Sequence, residues 1–353
     1  MDECENLYNK KTKNIDKIIK YFYDRIQKGE NVLTNLKAKI EITSKISSLS
    51  EYWVPSNISE FISKNKANIF KITATINGKN ITLYFYTYDN VDKDTIILYS
   101  NYVFLLIYFI TNVKTTCSKN IEINIYLTPF TKLLPKNKKI LGPNEVNTGY
   151  SNYGCLDYTE ITIYRKEEWF KVLIHELFHN LNLDFASIDN DYGEKFKKLL
   201  GLDIKYNINE AYPEIWARII LVVFASYIES SSYTKYKSLF IEYLNTEISF
   251  SLIQANKILN LVNSSKTYKE DTNAYVYYVF TASLLNNYIE FLEWCYKNNN
   301  RLFYFNKDNN NLNSFIRLLE CSLLNFDFFK KLSYLKIYGK DKETLRMTSI
   351  DIF

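Results

Sequence analysis

The strongest constraint on this chain is an unbroken helical pattern over residues 166–183, which contain neither glycine nor proline. His175 and His179 fall roughly opposite an apolar stripe, as judged at 100° per residue. That stripe recurs at three- and four-residue intervals and consists of Phe170, Leu173, Ile174, Leu177, Phe178 and Leu181. The pattern predicts a helix that buries one face in a core and turns both imidazoles toward a cleft.

These two histidines are the only ones in the 353 residues, and they enclose a glutamate in the arrangement H-E-x-x-H. Side chains four positions apart lie side by side on a helix, so both imidazoles can bind one metal ion. Glu176 can then take a proton from a water activated at that metal. The motif predicts a Zn²⁺ site with His175 and His179 as ligands and Glu176 as general base. The alternative is a pair of histidines solvated on a surface helix.

A catalytic zinc site takes three protein ligands and a water, so one protein ligand is still needed. No histidine remains, and the third ligand must be a carboxylate or a thiolate. The metzincin class is excluded, because Asn182 and Phe185 stand where it has glycine and histidine. Glu210 and Glu214 are four positions apart, where two like charges repel unless cations compensate them. A dication near Glu210 and the guanidinium of Arg218 near Glu214 would do so.

Two alternatives stay open for these carboxylates. Glu210 and Glu214 could form an exposed acidic helix start, which the helix macrodipole favours. Asp189 offers another solution, because residues 189–193 read D-x-x-Y-G and resemble the element that follows the zinc helix in aspzincins. Asp189 would then be the third ligand in place of Glu210.

The two motifs together resemble those of the gluzincins. In that family the first zinc helix carries H-E-x-x-H and the second carries N-E-[AG], matched here by residues 209–211. The resemblance implies that Glu210 ligates the metal and that Glu214 lies behind it, holding the outer nitrogen of a zinc-bound histidine. It also implies a histidine or tyrosine that donates to the oxyanion. With both histidines on the metal, Tyr277 and Tyr278 are the candidates.

A closer resemblance is to the zinc peptidases encoded by large nucleocytoplasmic DNA viruses, and it covers mainly residues 142–290. The similar segments are 164–185, 210–217 and 272–278. The resemblance implies a zinc metallopeptidase that hydrolyses peptide bonds, with a peptide or protein substrate as its partner. The alternative from another class is a zinc-stabilised virion or host-interaction protein without hydrolysis. Glu176 argues against it, because a purely structural site needs no base.

The composition argues against two other kinds of protein, one that binds nucleic acid and one that spans a membrane. The chain is 47% apolar and 24% charged, a globular balance. Its net charge of +5 is spread thinly, so no nucleic-acid partner is expected. Its most apolar run, residues 96–110, is shorter than a membrane span and predicts a buried helix instead. The oligomeric state cannot be read from these features.

The cysteines and the first twenty residues indicate in which cellular compartment the protein is expected. The five cysteines form no C-x-x-C pair and are odd in number, which predicts free thiols. Residues 1–20 carry charges throughout and lack the apolar stretch of a signal peptide. We therefore expect a reducing intracellular compartment, such as the host cytoplasm, or a virion.

The fold class predicted is α+β: a zincin-like mixed sheet-and-helix lobe, then a mostly helical lobe, with the active-site cleft between them. We expect a helical N-terminal region at 1–65, the zincin lobe at 66–200, and at 201–353 a helical lobe that supplies the third ligand. Asn77-Gly78 between two alternating runs predicts a hairpin. The remaining predicted elements are polar helices within 8–50, a helix at 98–113, strands at 121–127 and 159–164, a turn-rich loop at 142–151, and helices at 208–229, 233–262, 273–298 and 311–334.

Overall fold

The computed structural model describes residues 4, 14–34, 36, 38–44, 49–50, 52–112, 117–135, 140–188, 191–264, 268–335 and 342–353. Within them the chain forms one six-stranded sheet whose last strand ends at Ile163, and the part that follows is helical. The predicted class, α+β with a helical C-terminal part, is confirmed.

The sheet is mixed and has the strand order β1-β2-β3-β4-β6-β5. Strands β3, β4 and β6 are parallel to one another, while the remaining pairs are antiparallel. The predicted hairpin is the β2–β3 connection, where Asn77 and Gly78 both have positive φ. The strands are β1 (Lys39–Thr43), β2 (Asn68–Ile76), β3 (Lys79–Thr87), β4 (Asn120–Leu127), β5 (Gly149–Ser151) and β6 (Tyr158–Ile163).

The helices lie on both sides of the sheet and make up the C-terminal part. In chain order they are α1 (Ile15–Leu33), α2 (Ser56–Lys64), α3 (Lys93–Ile110), α4 (Pro143–Val146), α5 (Trp169–Asn180), α6 (Tyr192–Leu200), α7 (Ala211–Ile228), α8 (Tyr233–Ser264), α9 (Thr281–Asn286), α10 (Tyr288–Asn298), α11 (Asn309–Leu323) and α12 (Phe326–Tyr334). A 3₁₀ turn, Ile208–Glu210, precedes α7, and a π-helical turn, Val276–Phe280, precedes α9.

The side chains of the central strands point alternately to the two faces of the sheet, and this explains where α5 lies. One face of the sheet is apolar, and its buried side chains include Leu83, Phe85, Ile123, Ile125, Ile161 and Ile163. This face and the buried side of α3 belong to the main core, which also contains the apolar residues of α5 and α7. Helix α5 packs between strands β5 and β6 on one side and α7 on the other. The H-E-x-x-H motif is therefore held between the sheet and the helical part.

Two helical segments of the described chain are long and apolar enough to cross a membrane, α3 and Ile208–Ile228. The core helix of a globular protein meets the same test of length and composition. Half of the α3 segment is buried inside the protein, as is 89% of an apolar 18-residue window within Ile208–Ile228. The expected absence of a membrane span stays a prediction.

Three predicted elements differ from the structure. Residues 39–43 were expected to be helical but form β1, because pairing with β2 gives their backbone a partner. The helix expected over 273–298 is divided into the π-helical turn, α9 and α10. The expected loop at 142–151 contains α4 and β5.

The prediction of free thiols is wrong for four of the five cysteines. Cys4 is bonded to Cys321, and Cys117 to Cys155, while Cys295 is a buried free thiol. The partners are 317 and 38 positions apart in the chain. Such pairs are brought together only by the tertiary fold, so local spacing gives no sign of them.

Candidate metal centre

The start of α5 is fixed by buried ionic contacts. Glu168, just before the helix, has a positive φ of 59°. Its carboxylate forms a fully buried ion pair with Lys132 and accepts hydrogen bonds from the backbone N–H groups of Met347 and Thr348 at 2.8 and 2.7 Å. A C-terminal segment thus holds the first turn of α5, and this sets the position of the two histidines further along.

Three side-chain atoms meet at one point beside α5. His175 Nε2 and His179 Nε2 are 3.2 Å apart. Glu210 Oε2, from the 3₁₀ turn before α7, lies 3.1 Å from the first nitrogen and 3.2 Å from the second. The three side chains are only 7%, 10% and 13% exposed. The structure thus brings together both histidines and the predicted third ligand.

The outer nitrogens of both imidazoles are bound to carboxylates. His175 Nδ1 lies 3.0 Å from Glu214 Oε2, and His179 Nδ1 forms a short contact with Asp184 Oδ2. A carboxylate accepts a hydrogen bond, so each Nδ1 carries a proton, and in the neutral form of each imidazole Nε2 presents a lone pair. Two nitrogen lone pairs and a carboxylate oxygen therefore face one another, an arrangement that calls for a cation.

The spacing of these atoms fits a metal ion. In a tetrahedral zinc site with bonds of about 2.0–2.1 Å, neighbouring ligand atoms are roughly 3.3 Å apart. The separations here are 3.1–3.2 Å. Two neutral imidazoles and one carboxylate are also a donor set that zinc commonly takes. His175, His179 and Glu210 could therefore hold a metal ion.

The charges at this cluster favour a cation. Burial alone would raise the pKa of Glu210, but His179 and His175 lower it well below its usual range. Burial alone would lower the pKa of His179, and here the Glu210 and Asp184 carboxylates raise it well above the ordinary value. Protons therefore balance the carboxylates when no metal is bound, and a metal would displace them.

Glu214, which contacts the outer nitrogen of His175, also forms hydrogen bonds with two buried basic side chains. It receives hydrogen bonds from Lys171 Nζ at 2.6 Å and from Arg218 Nε at 3.1 Å, and all three side chains are buried. Arg218 also donates to the backbone carbonyl of Tyr277 at 3.0 Å. Burial alone would raise the pKa of Glu214, yet Lys171, His175 and Arg218 lower it. Glu214 thus stays ionised and can orient the imidazole.

Glu176 is held by a residue of the edge strand. Ser151 Oγ donates a 2.7 Å hydrogen bond to Glu176 Oε2. Strand β5 can approach α5 this closely because Gly149 has no side chain: a Cβ there would lie 3.0 Å from Val172 Cγ1 and 2.9 Å from the carbonyl of Thr162. The carboxylate next to the candidate ligands therefore has a fixed position.

The two candidate tyrosines occupy different environments. Tyr277 donates a 3.2 Å hydrogen bond to Glu210 Oε2, and its ring centroid lies 5.8 Å from that of His175. The π-helical turn carries this residue, and such turns are frequent at functional sites. The buried hydroxyl of Tyr278 donates instead to the carbonyl of Leu345. The structure therefore brings Tyr277, and not the hydroxyl of Tyr278, to the ligand cluster.

Sequence reasoning missed three contributors: Asp184, Lys171 and Ser151. Lys171 lies one turn before His175, so its spacing was a usable signal. Asp184 and Ser151 reach the site through a loop and a short edge strand, and no motif marks them. Asp189, the alternative third ligand, lies outside the described residues. No family model, no curated protein and no solved structure matches this chain.

Proposed function

We propose that this chain is a zinc-dependent metallopeptidase of gluzincin type, with His175, His179 and Glu210 as ligands and Glu176 as general base. One observation carries the proposal: two imidazole nitrogens and a carboxylate oxygen converge within 3.2 Å, each imidazole being oriented from behind by a carboxylate. The resemblance to the zinc peptidases of large DNA viruses supports the same class. Its expected partner is a peptide or protein substrate.

The donor set favours a catalytic rather than a structural site. Structural zinc sites are closed by four protein ligands, whereas catalytic sites use three and keep one position open. Three candidate ligands converge here, with Glu176 and Tyr277 close by. A bound zinc ion would supply a Lewis acid that polarises a carbonyl and makes water acidic near neutral pH. Glu176 would have no role in a purely structural site.

The side chains of this protein can then perform the proton transfers of peptide hydrolysis. Glu176 would take a proton from the attacking water as its oxygen bonds to the carbonyl carbon, and would pass that proton to the amine as the C–N bond breaks. Ser151 keeps Oε2 of Glu176 in place through its 2.7 Å hydrogen bond. The hydroxyl of Tyr277, which donates to Glu210, would turn to the oxyanion when substrate is present.

The experiment compares wild type with Glu176→Gln and His179→Ala, measuring bound zinc and cleavage of a peptide library. We expect Glu176→Gln to keep its zinc and its turnover to fall by about 10²–10⁴-fold, the contribution typical of a general base. His179→Ala should lose both zinc and activity. If the wild type binds zinc but cleaves peptides no better than Glu176→Gln, the chain is a zinc-stabilised interaction protein and the proposal is wrong.

A further inference from the structure

Strand β5 presents a free backbone edge beside the ligand cluster. Its register with β6 pairs Tyr150 with Thr162, and the flanking hydrogen bonds join Tyr164 N to Thr148 O and Asn152 N to Glu160 O. In this pattern residues 148, 150 and 152 exchange hydrogen bonds with β6. The N–H and C=O groups of residues 149 and 151 therefore point away from β6, on the side where the described chain places no further strand.

The side chains of β5 point alternately to two faces of the sheet. Ser151 points toward α5, where it holds Glu176. Tyr150 points to the opposite face and belongs to a small cluster with Val54 and Ile58. A peptide paired with the free edge would follow the same alternation, so every second side chain would point to the face of Tyr150.

Tyr52 and Trp53 lie on the same face as Tyr150. The segment around them is anchored on both sides: Ser50 N donates to Tyr150 Oη at 3.2 Å, and Val54 is buried in the cluster with Tyr150. Between these anchors the rings of Tyr52 and Trp53 meet edge to face, with centroids 4.6 Å apart. They remain 81% and 49% exposed. We call this pair the aromatic shelf.

Exposure of this kind is unusual for tryptophan in this protein. All four tryptophans lie within the described residues, and Trp169, Trp216 and Trp294 are buried. Two adjacent aromatic rings in water, on a segment that is hydrogen-bonded to Tyr150 of β5, form an apolar surface that the side chain of a bound peptide can cover.

We infer that the aromatic shelf is a specificity surface that takes a large apolar or aromatic side chain of an extended peptide lying along the free edge of β5. This inference rests on the proposed peptidase function and adds the substrate class to it. Ser50, next to the shelf in the chain, is hydrogen-bonded to Tyr150, and the following residue of β5, Ser151, holds Glu176. We therefore assign the shelf to a side chain of the substrate rather than to a separate partner.

Cleavage of matched peptides tests the inference. Quenched fluorescent peptides that differ only by phenylalanine or serine at one position are scanned along the substrate. We expect a position at which phenylalanine raises kcat/KM by about tenfold or more, and we expect Trp53→Ala to remove that preference. Tyr334→Ala is the control, since Tyr334 is an exposed aromatic residue on α12. An unchanged preference in Trp53→Ala would overturn the inference.

Fluorescence separates this inference from the proposed hydrolysis. In the Glu176→Gln variant, binding of the phenylalanine peptide should shift tryptophan emission to the blue and protect it from acrylamide, because Trp53 is the exposed tryptophan. The Glu176→Gln/Trp53→Ala double variant should show neither effect. A response without any cleavage by wild type would refute hydrolysis and leave the shelf as a peptide-binding surface. Cleavage without a Trp53 response would refute the shelf alone.

Discussion

At the scale of single residues, the carboxylates of Glu214 and Asp184, which contact the outer nitrogens of the imidazoles, support a metal site as strongly as the candidate ligands do. The two histidines could be read from one motif, and the Glu210 and Glu214 pair from its spacing. Asp184 could not be read in this way, because a loop rather than a helical repeat brings it to His179 Nδ1. Sequence periodicity predicts neighbours on one element, whereas contacts made through loops depend on the whole fold.

Asp184→Asn tests this role. The substitution keeps the shape but removes the charge that fixes the imidazole and raises its basicity. We expect the affinity for zinc to fall by about 10–100-fold, as is typical when such a partner is lost. Competition with a coloured chelator measures it. Asp203→Asn is the matched control, because Asp203 pairs with Lys197 on the surface. Equal zinc affinity for wild type and Asp184→Asn would contradict the assignment.

Glu270, which is not one of the candidate metal ligands, gives a prediction about the pH dependence of stability. Its carboxylate accepts hydrogen bonds from Tyr268 Oη at 2.7 Å and from Tyr275 N at 3.0 Å, and Tyr206 is nearby. Burial raises the pKa of Glu270 to about 7. The folded state therefore holds a proton that the unfolded chain releases near pH 4.5. This contribution to stability is complete below that pH and is lost as the pH rises through about 7.

Glu270→Gln makes this position neutral at every pH. Between pH 5 and pH 8.5 the free energy of unfolding of the variant, relative to wild type, should rise by on the order of 2 kcal/mol. Denaturant titrations of both proteins at the two pH values measure the difference. A difference that does not vary with pH would show that Glu270 titrates as an ordinary exposed glutamate.

At the scale of elements, the close contact between β5 and α5 controls the position of Glu176. Gly149→Ala would place a Cβ 2.9 Å from a backbone carbonyl and 3.0 Å from Val172, which forces the strand away from the helix. We expect about 1–3 kcal/mol of destabilisation and a lower kcat, because Ser151 moves with the strand. Gly142→Ala is the control, since its Cβ would meet nothing closer than 3.6 Å. Equal kcat in both variants would contradict this role of β5.

Most elements could be predicted because each has a local signal. The hairpin at Asn77-Gly78 follows from turn chemistry, and the helices follow from their apolar periodicity. Strand β1 and the three-residue β5 were not predicted. The residues of β1 do alternate, but no turn connects them directly to their partner β2, and β5 is too short for alternation to be recognised. The π-helical turn at Tyr277 was missed for a related reason, since its apolar pattern continues that of a regular helix.

At the scale of the whole molecule, the candidate ligands join parts of the chain that are far apart in sequence. Helix α5 supplies two candidate ligands and the turn before α7 supplies the third, while Phe178 and Trp216 stack between these helices. The C-terminal segment packs against the first residue of α5, with the ring of Phe353 stacked on that of Trp169 at a centroid distance of 5.3 Å. A metal bound here would fasten two elements that already share a core.

Metal binding should therefore stabilise the folded protein. At a free zinc concentration of 100 times Kd the expected gain is about 2.7 kcal/mol for a metal that binds only the folded state. Thermal unfolding of wild type should shift upward with added zinc and downward with a chelator. His179→Ala should unfold at one temperature in both conditions. A zinc-dependent shift of equal size in His179→Ala would mean that the metal binds elsewhere.

The most direct test of the central claim is a crystal structure of the zinc-loaded protein with anomalous data collected on both sides of the zinc absorption edge. We predict one strong peak bound by His175 Nε2, His179 Nε2 and a Glu210 oxygen at about 2.0–2.2 Å, with one position open toward Glu176. Imidazoles turned apart with no anomalous peak between them, in crystals grown with excess zinc, would contradict the account.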